Sequence, residues 1–148
     1  GGKERFDSVK AGIAALGAQT RSIAVQDGVR ALVSKKLIIR ALQTAIETGS
    51  AIPAIAPTDS FRETGDNGES HPVDRSRLRM IQTPQIFEAG LLRKAYETEY
   101  DPSLTDDATV VERSGAKETL CEGERTNIKI TTADDLTLAE AIIAEREQ

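Results

Sequence analysis

SIAVQDGVRALVSKKLIIRALQTAIETGSAIPAIA, residues 22–56, decides how the chain folds. Its opening, 22–26, is a short apolar run of strand length. The run ends at Asp27-Gly28, a pair that turns a chain. Ser34 then caps a helix in which Leu37, Ile38, Ala41, Leu42, Ala45 and Ile46 recur at i, i+3, i+4 spacing, and Gly49 supplies the stop. The run 51–56 is apolar again. Strand, helix and strand over so short a span predict a right-handed βαβ crossover.

Outward from this unit the alternation continues. Upstream, 7–16 reads as a helix capped by Asp7 or Ser8, with Val9, Ile13 and Leu16 on one side and Gly17 at its end. Downstream, 58–63 is polar and extended, and 64–70 is a turn by composition. The chain then returns as an extended segment over 72–82. This predicts a hairpin arm of about 57–82 projecting from the sheet. An isolated hairpin is marginal in water, so a second copy of the chain is its simplest partner. Within 73–87, VDRSRLRMIQTPQIF, Arg75, Arg77 and Arg79 alternate with Ser76, Leu78 and Met80. That is the period of a strand, stopped at Thr83-Pro84. It fits either a soluble edge or a strand end presenting guanidinium and hydroxyl groups to a phosphorylated ligand. A helix over 88–99 follows, then a break at 101–103. Thr105-Asp106-Asp107 opens a further helix, which Gly115 ends. Strand-like runs occupy 117–121 and 127–131. Thr132 and Asp135 form a capping box ahead of a closing helix over 136–146. The whole predicts an α/β fold with a mostly parallel sheet and a projecting β-hairpin arm.

The 148 residues support one domain with a core. Aromatics make up 3%, with no Trp, and net charge is −5; both argue against a nucleic-acid surface. A local cationic pocket for an anionic small molecule remains compatible with that charge. The single cysteine, Cys121, reads as a small buried hydrophobe, and one cysteine builds neither a disulfide nor a cysteine zinc site within a chain. His71, also single, reads as a solvated ring in a polar loop. No apolar run reaches membrane-span length and no signal peptide opens the chain, so a cytoplasmic, reducing setting is the default expectation. The start at Gly1, without Met, leads us to expect that the natural protein begins earlier.

In open parallel sheets ligands bind beyond the carboxyl ends of the strands. Candidates there are Asp27, Gly28 and Arg30, then Thr58, Asp59 and Ser60, then Thr83, Thr105, Asn127 and Lys129. Each also has a purely structural reading: Asp27 as a turn residue, Thr105 as a cap, Ser60 and Thr83 as extended-chain hydroxyls, Lys129 as the outward residue of a strand. Cationic and hydroxyl groups gathered with an acid suit a phosphate-bearing ligand and a divalent metal. No arrangement for acyl transfer is present.

The motifs share one order. Gly2-x-x-Arg5-x-x-Ser8-Val9 is followed by Asp27-Gly28-Val29-Arg30, Val73-Asp74-Arg75, Gln82-Thr83-Pro84-Gln85 and Thr105-Asp106-Asp107-Ala108. Glu122-Gly123-x-x-x-Asn127-Ile128-Lys129-Ile130-Thr131 and Asp134-Asp135-Leu136-x-Leu138-Ala139-Glu140 complete the set. Taken together, and nearly end to end, this resembles the 2-C-methyl-D-erythritol 4-phosphate cytidylyltransferase family. The resemblance implies a Rossmann-like nucleotidyltransferase fold, of which 1–148 is the C-terminal portion of a single domain, and a homodimer joined through the arm. It implies transfer of CMP from CTP to a polyol phosphate with Mg²⁺ and release of pyrophosphate, in non-mevalonate isoprenoid biosynthesis. By position, Arg75 and Lys129 would place the substrate phosphate. Arg75 and Ser60 would reach across the dimer, Thr83 and Thr105 would bind substrate, and Ser8, Asp27 and Gly28 would hold the cytidine and ribose, with Asp27 also near the metal. Two departures stand close to Asp27: Gln26 where His is common and Ala31 where Pro is common. The family's glycine-rich N-terminal loop, which binds the CTP phosphates, has no counterpart here, so the chain as written is expected to be inactive. Ribitol 5-phosphate cytidylyltransferase shares nearly all these motifs and is the alternative enzyme. A non-catalytic ligand-binding or dimerisation fragment is the alternative of another class.

Overall fold

The structure, a computed structural model, describes residues 1–146. The first helix, α1 (Arg5–Ala15), begins earlier than the sequence suggests. Glu4 is its cap, and Asp7 lies inside the first turn, where its carboxylate accepts from the Glu4 N–H at 3.1 Å. Gly2 runs against that turn. Its N–H donates to Ser8 Oγ at 2.7 Å, and a Cβ on residue 2 would stand 2.2 Å from that of Asp7. Only glycine fits such an approach.

The stretch 22–56 folds as read. Strand β1 (Ser22–Val25) leads through the Asp27-Gly28 turn to α2 (Lys35–Thr48), capped by the Ser34 hydroxyl and closed by Gly49 at φ +90°, and then to β2 (Ser50–Ile55). Only half of the α2 stripe is buried: Leu37, Ala41 and Ala45 face the sheet, while Ile38, Leu42 and Ile46 remain exposed. The two alanines let the helix lie close to Ala51 and Ile86, so a narrow seam suffices.

The arm comprises β3 (Phe61–Thr64) and β4 (Ser70–Val73), an antiparallel pair with Phe61 opposite Val73 and Thr64 opposite Ser70. His71 lies on it, exposed. The alternating arginines beyond it do not make a strand. Arg75–Arg77 form a single 3₁₀ turn, capped by the Asp74 carboxylate on the Ser76 N–H, and pairing resumes only at β5 (Met80–Ile81). A local side-chain cap competes with the ladder for backbone groups, and here it wins.

The return limb continues as β6 (Gln85–Glu88), antiparallel to both β1 and β2. The α/β class stands, but the sheet is mixed rather than mostly parallel. β1 and β2 run the same way, as the crossover requires, yet β6 lies between them in the opposite sense. Among the described residues β7 (Leu120–Glu122) adds the one parallel pairing, to β2. The register of the limb on β2 is broken. Ala54 pairs Ile81 and Ala51 pairs Ile86, which leaves four residues, 82–85, facing two. The surplus loops out at Gln82-Thr83-Pro84, where the Thr83-Pro84 peptide is cis. Proline cannot donate to a ladder, so the limb leaves the sheet there.

Ile86 and Phe87, neighbours on a strand, serve opposite faces. Ile86 joins the α2 side, with Cys121 packed half-buried beside it. Phe87 joins Phe6, Ile13, Ile23, Ile52, Leu92 and Val111 in the larger core. That core lies under α1, α3 (Ala89–Ala95) and α4 (Asp107–Arg113), the last capped by Asp106 rather than Thr105. Among the described residues the run 127–131 forms no ladder, and Ile130 N–H donates to Val29 O at 2.8 Å. Ile128 and Ile130 pack with Leu32, Ala139 and Ile142 under α5 (Ala133–Arg146). Among the described residues no helix is long and apolar enough to cross a membrane.

The α5 cap offers a pH test. The Asp135 carboxylate accepts from the Thr131 and Thr132 N–H groups at 2.9 and 2.8 Å and from Thr131 Oγ1 at 3.0 Å. These bonds lower its pKa from 3.8 to about 2. A depressed folded pKa adds stability above the unfolded value, and that stability drains away as the pH falls through the folded one. Thermal melts of Asp135→Asn should therefore show a shallower loss of Tm between about pH 4 and pH 2 than the parent chain. Parallel curves would remove Asp135 from acid unfolding.

Candidate active site

Two clefts meet at Asp27, at the C-terminal end of β1. The first, of about 290 Å³, is lined by Arg5, Arg30, Thr83, Thr105, Asp106 and Lys129 among others. The second, of about 360 Å³, runs along Ser8, Val9, Gln26, Gly28 and Val29. Arg5, Asp27 and Lys129 line both. The Asp27 carboxylate stands 3.5 Å from Arg5 Nε and 3.6 Å from both Arg30 Nε and Lys129 Nζ. Each cleft therefore carries one cation more than it has carboxylates, in a chain of net charge −5.

Each cation has a structural reason to be there. Arg30 closes the turn after β1, with its N–H on Asp27 O at 3.0 Å, so residues i and i+3 face one another. Lys129 lies between Ile128 and Ile130. Since those two pack under α5, the lysine between them faces away, into the clefts. Arg5 leaves α1 and donates to Asp107 at 2.6 Å. Asp107 is wholly buried and also accepts from Tyr96 Oη at 2.6 Å. Burial alone would lower the Arg5 pKa, but the bond and charge of Asp107 more than offset it, and the net shift is upward. Burial, then Asp107, push the Tyr96 hydroxyl up, so it remains a donor.

Of the residues expected from sequence, Ser8, Asp27, Gly28, Thr83, Thr105 and Lys129 converge on these clefts. Thr83 Oγ1 accepts from the Asp27 N–H at 2.9 Å, so its hydroxyl helps seat the acid as well as lining the cleft. Arg75 and Ser60 do not converge. Both lie exposed at the arm, and the Arg75 guanidinium donates to Thr58 O. Sequence reasoning gave no role to Arg5, Asp107 or Gln82, and named Arg30 and Asn127 only as candidates. The Asp-Gly-Val-Arg turn held the signal for Arg30, because a turn brings i and i+3 together. Nothing in the sequence marked the burial of Asp107 and Asn127.

Residues 1–145 match the family model described as IspD, 2-C-methyl-D-erythritol 4-phosphate cytidylyltransferase. The chain belongs to this family. The 2-C-methyl-D-erythritol 4-phosphate cytidylyltransferase of Bacteroides fragilis is 43% identical over 143 residues, covering 97% of this chain and 64% of the relative. That of Rubrobacter xylanophilus is 42% identical over 152 residues, covering 99% and 65%. The chain thus spans less than two thirds of the length of these 2-C-methyl-D-erythritol 4-phosphate cytidylyltransferases. The crystal structure of the Thermus thermophilus enzyme superposes with a TM-score of 0.85 at 34% identity, covering 97% of this chain and 71% of that one. The bifunctional IspDF of Campylobacter jejuni gives 0.79 at 31%, covering 93% and 35%. The Rossmann-like nucleotidyltransferase fold of the family is the fold described above.

Among the described residues no three His, Cys, Asp or Glu side chains are grouped to hold a metal ion. Mg²⁺, however, commonly takes one or two protein carboxylates and completes its shell with phosphate oxygens and water. Asp27 offers one such carboxylate. Three cations already compete for it, so the carboxylate is open to a metal only where added negative charge draws those cations away.

Proposed function

We propose that the full-length protein transfers CMP from CTP to 2-C-methyl-D-erythritol 4-phosphate and releases pyrophosphate, a step of non-mevalonate isoprenoid biosynthesis. The observation that carries the reading is the junction of two cationic clefts at Asp27. One cleft suits a nucleotide and the other a second anion, and family membership supports reading them as CTP and a polyol phosphate. The attacking atom is a phosphate oxygen, already ionised at neutral pH, so no general base is required. The chemistry needs two anions held together and charge stabilised as it builds at the α-phosphate. Lys129 and Arg30 supply that charge from the first cleft, and Asp27 holds both in place. Ser8 and Gly28 flank the nucleoside, and Thr83 and Thr105 flank the polyol phosphate. Mg²⁺, with Asp27 as its protein ligand, would neutralise the triphosphate.

Arg75 and Ser60 fit this reading only if the arm reaches a partner, so a homodimer belongs to the proposal. Phe61 at the arm and Met80 and Ile81 near its root are exposed apolar groups suited to such an interface. Phe61→Asp should shift the full-length protein from dimer to monomer in sedimentation velocity. A dimer that persists would take the arm out of the interface.

Pyrophosphate release by the full-length protein with CTP, Mg²⁺ and methylerythritol phosphate tests the function. Ribitol 5-phosphate in its place separates the sister activity. Release with neither polyol would leave a non-catalytic member of the family.

A further inference from the structure

Between the two halves of the first cleft lies a buried amide frame whose role the residues above do not explain. Asn127 is fully buried and its Nδ2 donates to Thr83 O at 2.8 Å. Gln82, almost as buried, donates from Nε2 to Glu124 O at 2.8 Å and accepts the Glu124 N–H on Oε1 at 3.0 Å. Arg30 adds a bond to Asn127 O at 2.7 Å. The frame ties the 82–84 loop-out, which presents Thr83, to the segment 124–129, which presents Lys129. Neither piece is held to the other by a ladder.

We propose that Gln82 and Asn127 are positioning residues: they set the spacing of Lys129 and Thr83 across the cleft. The proposal rests on the functional reading above for its kinetic consequence, but its geometry stands alone. Two observations favour positioning over mere stability. Asn127 Oδ1 is buried with no partner among the described residues. A buried unpaired acceptor is costly, so an apolar side chain would fill the space at less expense if filling were the only need. The second is Gly123: a Cβ there would come within 2.4 Å of Gln82 Oε1 and 3.2 Å of the Ala54 carbonyl carbon. A side chain at position 123 would displace the Gln82 amide from the frame.

The test uses the full-length protein. Asn127→Ala should lower kcat/KM for the polyol phosphate by about 10- to 100-fold, the scale expected when a reacting group shifts by about 1 Å. In a Lys129→Gln background the same change should cost less than about 2-fold, because the group it positions is gone. Ser50→Ala, which removes another buried hydrogen bond, to the Thr119 N–H, far from the clefts, should leave kcat/KM unchanged. Gln82→Met repeats the test from the other side of the frame should Asn127→Ala fold poorly. Independently of turnover, acetic anhydride should label Lys129 several-fold faster in Asn127→Ala, relative to Lys35, as Nζ leaves Asp27. Equal kinetic losses in both backgrounds, or an unchanged labelling rate, would overturn the proposal. If the parent protein released no pyrophosphate, the functional reading would fail and labelling would still decide the frame.

Discussion

Lys129→Ala in the full-length protein should lower turnover by about 10²- to 10³-fold, the usual effect of removing one preorganised group from a charge-stabilising site. The structure gives reasons for an effect so large. Lys129 is one of three cations on Asp27 and, among the described residues, the one without a second anchor to backbone or carboxylate. Arg5 is committed to Asp107, and Arg30 to the carbonyls of Asn127 and Ile81. Lys129, half-exposed and paired only with Asp27, is the cation best placed to meet a charge as it develops. Arg30 cannot replace it, since its guanidinium is already fixed in the frame. Lys129→Arg should recover only part of the loss, because a planar fork does not reproduce a compact ammonium. Pyrophosphate release under saturating CTP reads the result. An Ala variant within about 3-fold of the parent would place the transition-state charge elsewhere, and the proposed division of labour between the two clefts would fall with it.

Much of this site was legible because local rules held. The stop at Asp27-Gly28, the Ser34 cap and the Gly49 exit each depend on a few neighbouring residues, and each formed where read. Lys129 was legible too, though for an inexact reason. It is the outward residue of an extended segment, but that segment belongs to no sheet, and outward means into the clefts. The illegible parts depend on contacts distant in sequence. Arg75–Arg79 alternates like a strand, yet the chain takes a 3₁₀ turn there, and the Asp74 carboxylate caps its backbone locally at Ser76. The insertion of β6 between β1 and β2 follows from tertiary pairing across long stretches of chain, which no local pattern encodes. Asp107 and Asn127 read as a helix-start acid and the first residue of a strand-like run; their complete burial was set by Tyr96, Arg5 and Thr83 arriving from elsewhere.

Asp107→Ala should be the most destabilising single change in the site, by about 3–5 kcal/mol, because it breaks a buried charged network from one side. The carboxylate is fully buried, and it joins α1, α3 and α4 through two bonds of 2.6 Å, one from Arg5 and one from the Tyr96 hydroxyl. Removing it leaves that hydroxyl unpaired in the larger core, beneath the Phe6 ring stacked on Tyr96 at 4.8 Å. The orphaned hydroxyl alone costs about 1–3 kcal/mol. The half-buried Arg5 guanidinium loses its strongest partner as well. With a total stability of roughly 5–15 kcal/mol, the loss is a large share, and Tm should fall by roughly 10 °C. Tyr96→Phe removes only one bond and should cost about 1 kcal/mol. In the double variant no unpaired hydroxyl remains, so the combined loss should be smaller than the sum of the two. Urea unfolding of the four chains gives the coupling directly. Strict additivity would mean that Asp107 serves Arg5 alone. Its carboxylate would then be a support for the clefts rather than the pin through which the core and the active site share one residue.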